Sequence, residues 1–257
     1  MACCGFSQDW AGGIGRRDGA TAAMLLLGNV GRCHGYGGAG QELHWHARRC
    51  YWGDEMRYEF LVETYATERV KVVSVWSEFQ DGDMEFRPNA GDARGRSVRE
   101  QMVHQCVSED LWFRNMLGID VGAPPLPGSE TRIEFMRRYA EDSGKRLAAL
   151  RSKEEGWWEG ETKFFDVTRS RAWVMTRRIA HTSHHRGQQM AMLRMLGRDL
   201  HSNYGPTADT GGLMQNHAPT IYAYGSLQEL LAGESEGGRK ARLPGAGGKA
   251  VTERAGT

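Results

Sequence analysis

Apolar positions recur at helical spacing in four long stretches of the chain, and no stretch shows the alternation of a half-buried strand. The first stretch runs from about Glu55 to Phe79, with Phe60, Leu61, Thr64, Val70, Val73 and Trp76 tracing one face. Gly82 and Pro88-Asn89 break it. The second opens at Ser97, which forms an S-x-x-E capping box with Glu100; hydroxyl and carboxylate each satisfy a backbone N–H at the helix start. It continues through Val103, Val107, Leu111 and Phe113, and Gly118 ends it. Pro124, Pro125 and Pro127 keep the next connection out of a helix. The third helix spans about Ser129 to Arg151, with Ile133, Phe135, Met136, Leu147 and Leu150 turned inward. Trp157, Trp158, Phe164 and Phe165 fall in an irregular aromatic connection. The fourth helix spans about Thr168 to Leu196, closed by Gly197, and a short helix from Ile221 to Leu231 follows Tyr204-Gly205-Pro206. Amphipathic helices hide their apolar faces against one another, so the predicted fold is all-α, a four-helix bundle.

Composition changes this picture only at the ends. Of 34 glycines, 12 lie in residues 1–53 and 7 in residues 233–257, which leaves an ordinary density between them. The expected organisation is therefore a Gly-rich flank at 1–53, disordered or outside the natural product, with Met56 as an alternative start. A helical bundle at 54–200, an extension with a short helix at 201–232 and a disordered tail at 233–257 complete it. A chain of 257 residues with net charge +1 and 40% hydrophobic residues is neither a transmembrane bundle, nor a collagen-like fibre, nor a polycationic tail.

Four of the five cysteines (Cys3, Cys4, Cys33, Cys50) sit in the leading flank. Cys106 is then alone inside the bundle, a buried structural thiol, which suits a reducing cytoplasm. Arg16-Arg17 precedes an apolar run from Ala20 to Gly28, but that run is short, Asp18 interrupts the approach to it and no convincing small-x-small cleavage site follows. Export is set aside and a cytoplasmic location expected. Gly35 to Gly40 matches G-x-G-x-x-G without a strand before it or a helix after it, and His44, His46 and Cys50 have no packing to organise a site. Near-neutral charge and the lack of a DNA-binding motif leave neither nucleic acid nor membrane as an expected partner.

The chemistry concentrates in histidines. His181 and His185 lie four apart in the fourth helix, about 40° apart around its axis, so both imidazoles can reach one metal ion. The inward face read from Val174, Met192 and Leu196 passes through both; His184 points elsewhere. His104 in the second helix, on a face with Val107 and Leu111, is the third candidate ligand. Three buried imidazoles without a metal would leave polar nitrogens unsatisfied. The H-E-x-x-H protease pattern fails because position 182 is Thr, and no Glu-x-x-His of a di-iron bundle occurs. A mononuclear three-histidine site with open positions survives.

The run His181-x₃-His185-Arg186-Gly187-Gln188, followed by Leu193-Arg194-x-x-Gly197, resembles the DinB family, also called DinB/YfiT-like proteins. So does Ser97-Val98-Arg99-Glu100-x₃-His104, with Glu109 and Asp110 beyond it; the resemblance covers about residues 56–200. It implies a four-helix bundle with one long crossover connection, often a homodimer, and a divalent metal, zinc or nickel, on His104, His181 and His185. Characterised relatives include transferases and isomerases that use a low-molecular-weight thiol; many others carry the label of metal-dependent hydrolase.

A metal held by neutral histidines can lower the pKa of a bound water or deprotonate a bound thiol. The expected function is thus a metal-dependent enzyme acting on a small-molecule substrate, first a thiol-dependent S-transferase. The alternatives are a metal-dependent hydrolase and a non-catalytic metal-binding or dimerisation module. Between Val167 and Arg198 there are seven arginines and no acid; Arg177 or Arg178 could hold a substrate carboxylate, or the arginines pair with acids on the first and third helices. Glu109 is a poor fit to the face of His104, Gln188 could bond to a metal ligand or pack, and Tyr204 and Asp209 could fold back over the bundle mouth.

Overall fold

Helix boundaries follow local chemistry. The computed structural model describes residues 57–249. Helix α1 spans Glu59–Glu78. Helix α2, Val98–Leu117, begins at the expected capping box, with Ser97 Oγ accepting from Glu100 N, and ends at Gly118, whose φ of 66° suits glycine. A second capping box, Thr131 with Glu134, opens α3, Arg132–Arg151. A short helix α4, Glu155–Glu159, leads into strands β1, Glu161–Phe164, and β2, Val167–Ser170. Helix α5, Arg171–Met195, is capped by Ser170, and α6, Leu227–Ser235, by Ser226.

The four long helices form the expected bundle, in which α1 and α2 each pack against α3 and α5. Two apolar clusters fill it. One holds Val73 and Trp76 of α1, Met102 of α2, Phe135 and Met136 of α3, and Met192 and Leu193 of α5. The other holds Leu61 and Tyr65 of α1, Phe113 and Leu117 of α2, Leu150 of α3, and Val174 and Met175 of α5. Their order along each helix sets its direction: α1 and α5 run one way, α2 and α3 the other. Because α2 and α3 are parallel neighbours, the connection between them must traverse the bundle. Its proline-rich chain, held by Arg99 Nη1 on the carbonyl of Glu130 and by Arg138 on that of Pro124, does so. This is the long crossover.

Each long helix carries buried polar residues between its two apolar segments: Glu68; Ser108 and Glu109; Asp142, Ser143 and Arg146; Arg178, Thr182, His185, Arg186 and Gln189. They form a polar layer across the middle of the bundle. Glu109 is its hub, accepting from Tyr65 Oη at 2.6 Å and Tyr139 Oη at 2.8 Å, and from Arg146 and Arg178 at 3.4 Å each.

Three sequence expectations are corrected. Residues 161–170, read as an irregular connection running into the fourth helix at about Thr168, form an antiparallel hairpin with Glu161 opposite Ser170 and Phe164 opposite Val167, and the helix starts at Arg171. Phe60, Val107 and Leu111, read as core, are exposed, because the buried face of α1 starts with Leu61, Val62 and Tyr65 and that of α2 runs through Val98, Met102, Cys106, Phe113 and Leu117. The short terminal helix lies at Leu227–Ser235 rather than Ile221–Leu231, so the boundary expected at 232 falls inside it.

Beyond α6 the chain hydrogen-bonds back, Ala241 N to Ala223 O at 3.1 Å and Gly245 N to Asp209 O at 2.8 Å, although residues 233–257 were expected to be disordered. Arg16, Arg17, the glycine motif at 35–40, His44, His46, Met56 and the four flank cysteines lie outside the described residues, as does the flank 1–53 itself. No helix among the described residues is long and apolar enough to cross a membrane.

Candidate metal centre

The polar layer contains the histidines. His181 and His185 occupy successive turns of α5, and α2, packed against α5, brings His104 to them. One potential ligand atom from each of the three lies within 4.8 Å of the other two; among the described residues no other such group of His, Cys, Asp or Glu occurs. Ring centroids are 4.5 Å apart for His104–His185 and His181–His185, and 5.4 Å for His104–His181. The structure thus places the three sequence-predicted histidines side by side.

One tautomer is set by hydrogen bonding. His185 Nδ1 lies 2.9 Å from Gln101 Oε1 and 3.2 Å from Gln188 Oε1. Amide oxygens only accept, so Nδ1 carries the proton and Nε2 keeps its lone pair. Gln101 Nε2 donates onward to Gln188 Oε1 at 2.9 Å, and Gln188 Nε2 lies 3.0 Å from Nε2 of the exposed His184. Gln188 therefore does bond to a candidate ligand. Gln101 is a residue the sequence reading missed; its only signal was its place three before His104.

The donor set fits a cation. His185 Nε2 faces His181 Nε2 at 3.2 Å. Two ligand nitrogens about 2.0–2.1 Å from one tetrahedral zinc stand roughly 3.3 Å apart, which this pair nearly matches. His181 Nδ1 is buried without a hydrogen-bond partner. Burial, first, pushes the imidazoles down to about 4 for His104 and about 3 for His181 and His185. Arg178 beside His104 and His181, and Arg96 beside His104 and His185, push the same way. At neutral pH all three are neutral ligands.

The surroundings separate reactive from structural groups. Trp112, which the sequence reading passed over, stacks on His181 with centroids 5.5 Å apart at 28°. His104 and His181 are half-buried, and Val107 and Leu111, on the same face of α2 as His104, are exposed rather than packed over the group. Arg178 is fully buried against Glu109, Ser108 and Thr182 and holds no substrate carboxylate, whereas Arg177 is exposed. Arg186 pairs with Glu68, Arg194 with Asp209 and Arg198 with Asp83. Acid partners on α1 were expected; those on α2 and in loops, in place of α3, were not. Cys106 is buried as expected, and burial with the nearby Glu109 charge pushes its thiol far up. Tyr204 and Asp209 do fold back, but onto Glu68, Arg186 and Arg194 rather than over the histidines.

Comparison with known proteins agrees with this architecture. A DinB-like protein from Bacillus cereus shares the fold at TM-score 0.50 and 14% identity, over 55% of this chain and 93% of that one. A DinB-like protein from Bacillus subtilis matches at TM-score 0.46 and 13% identity, over 55% and 94%. No curated protein matches. The model of the DinB family matches residues 59–211, more than half the chain and all four long helices; this protein belongs to the DinB family.

Proposed function

We propose that the chain is a metal-dependent enzyme, a thiol S-transferase in which His104, His181 and His185 hold a divalent ion, zinc or nickel. The carrying observation is three neutral imidazoles converging in a group without a carboxylate. When bound, the ion supplies positive charge that lowers the pKa of a coordinated thiol or water. Gln101 holds His185 in the ligating tautomer, and Trp112 braces His181.

The lack of a carboxylate in the group favours the thiol over the hydrolytic reading. Hydrolysis calls for a group that relays protons between water and leaving group. Glu109 is occupied by four donors and fully buried. A thiol needs only to lose one proton to become a strong nucleophile.

The test is metal content of untagged protein, wild type against His185→Ala, followed by consumption of a low-molecular-weight thiol with an electrophile. About one zinc or nickel per chain, lost in the variant together with thiol consumption, is the expected result. Metal binding with turnover that needs no thiol would turn the reading to a hydrolase. No metal uptake would end it.

A further inference from the structure

The hairpin carries residues that the bundle does not need. Phe165 sits at its turn with φ +55°, a left-handed backbone that a Cβ disfavours, and the residue is 63% exposed, so burial does not offset the strain. Phe164 beside it meets Trp112 at 5.2 Å, Phe165 at 4.8 Å and Trp173 of α5 at 4.9 Å. Trp112 is the shared member, since its ring also stacks on His181. Val107 and Leu111, one and two turns beyond His104, extend the exposed apolar surface along α2. A continuous apolar face therefore starts at the histidines and ends at the hairpin tip. One exposed cation edges it: the Arg169 guanidinium lies 5.2 Å from the ring of Trp173.

We propose that this face seats the aromatic ring of the substrate, an aromatic anion whose ring lies against Trp112, Phe164 and Phe165 and whose anionic group reaches toward His104, His181 and His185. The anionic end rests on the metal reading above; the ring seat rests on the hairpin. Size argues for a small molecule over a second copy of the chain. The exposed parts of these side chains amount to roughly 400 Å², about half the ~800 Å² each partner contributes to a stable protein interface. That area covers an aromatic ring. The exposed guanidinium of Arg169 matches the charge of an anion.

The test titrates zinc-loaded full-length protein with 1-naphthoate, read by tryptophan quenching and calorimetry. The comparison is the double variant Phe165→Gly with Trp173→Leu, which leaves the histidines and their hydrogen bonds alone; glycine also suits the left-handed turn. Loss of the Phe165 contact, and of the Trp173 ring that packs against Phe164, predicts about tenfold weaker binding in the variant at unchanged zinc content. Equal affinity in both proteins overturns the proposal. Zinc uptake without naphthoate binding overturns it and leaves the metal reading standing. If wild type takes up no zinc, the metal reading fails and the metal-free proteins decide. A tenfold difference there still supports the ring seat, and no difference or no binding overturns it. A dimer that dissociates in the variant, with no naphthoate bound, assigns the face to a second copy and overturns the proposal.

Discussion

His185 offers one nitrogen to the candidate site because Gln101 occupies the other. Replacing Gln101 with Leu keeps the volume and removes the acceptor at 2.9 Å. Zinc affinity, measured by competition with a chelating dye, is expected to fall about 10–100-fold, with the fold intact. Unchanged affinity would deny Gln101 any positioning role. The histidines also predict a pH dependence for metal-free protein. Their folded-state values lie at about 4, 3 and 3, against about 6.5 for an exposed histidine. Between those limits the unfolded chain binds more protons, so their contribution is complete above pH ~6.5 and is lost as pH falls toward 4 and below. Urea midpoints at pH 7 and pH 5 should differ more for wild type than for a His104, His181, His185 triple-alanine variant. Equal differences would mean that the imidazoles are not buried as described. The i, i+4 pair and His104 were legible along the chain. Gln101 and Trp112 were not, because what singles them out is contact with residues about 70–85 positions away.

Elements with strong local signals came out where the sequence put them. Ser97 with Glu100 marked the start of α2, and Gly118 and Gly197 marked helix ends. Ser97→Ala removes a capping bond and should cost about 1 kcal/mol, lowering Tm by roughly 2–4 °C. A thermal melt checks this, and an unchanged Tm would mean the box adds nothing to α2. The hairpin lacked such a signal. Its strands are four residues long, β1 alternates over only those four positions and β2 is exposed at three successive ones, which is too little for a readable period of two. Phe164 against Trp112 anchors it, a contact between distant segments. The face of α2 was misjudged for a related reason. Val107 and Leu111 are apolar at helical spacing, yet that stripe borders the opening beside His104 while another stripe enters the core.

Across the whole molecule the polar layer joins fold to site. Glu109 links α2 to Tyr65 of α1, Tyr139 and Arg146 of α3, and Arg178 of α5. Arg178 lies in turn beside Trp112, which stacks on His181. Glu109→Gln keeps the shape but leaves two buried guanidiniums undercompensated, and should destabilise by about 3 kcal/mol. Chemical denaturation gives the value; a loss below about 1 kcal/mol would show that Asp110, 3.2 Å from Arg146, suffices.

The sequence alone determined the four helices, their caps and the histidine pair, because each depends on residues within one or two turns of each other. Family membership was legible for the same reason, since its motifs are local runs on α2 and α5. Tertiary structure alone decided which stripe of α2 is buried, that Glu109 serves four donors, and that Trp112 stands between His181 and an aromatic hairpin. Those outcomes depend on which helices lie side by side and in which direction. Helical periodicity says that a face is apolar; it does not say what meets it.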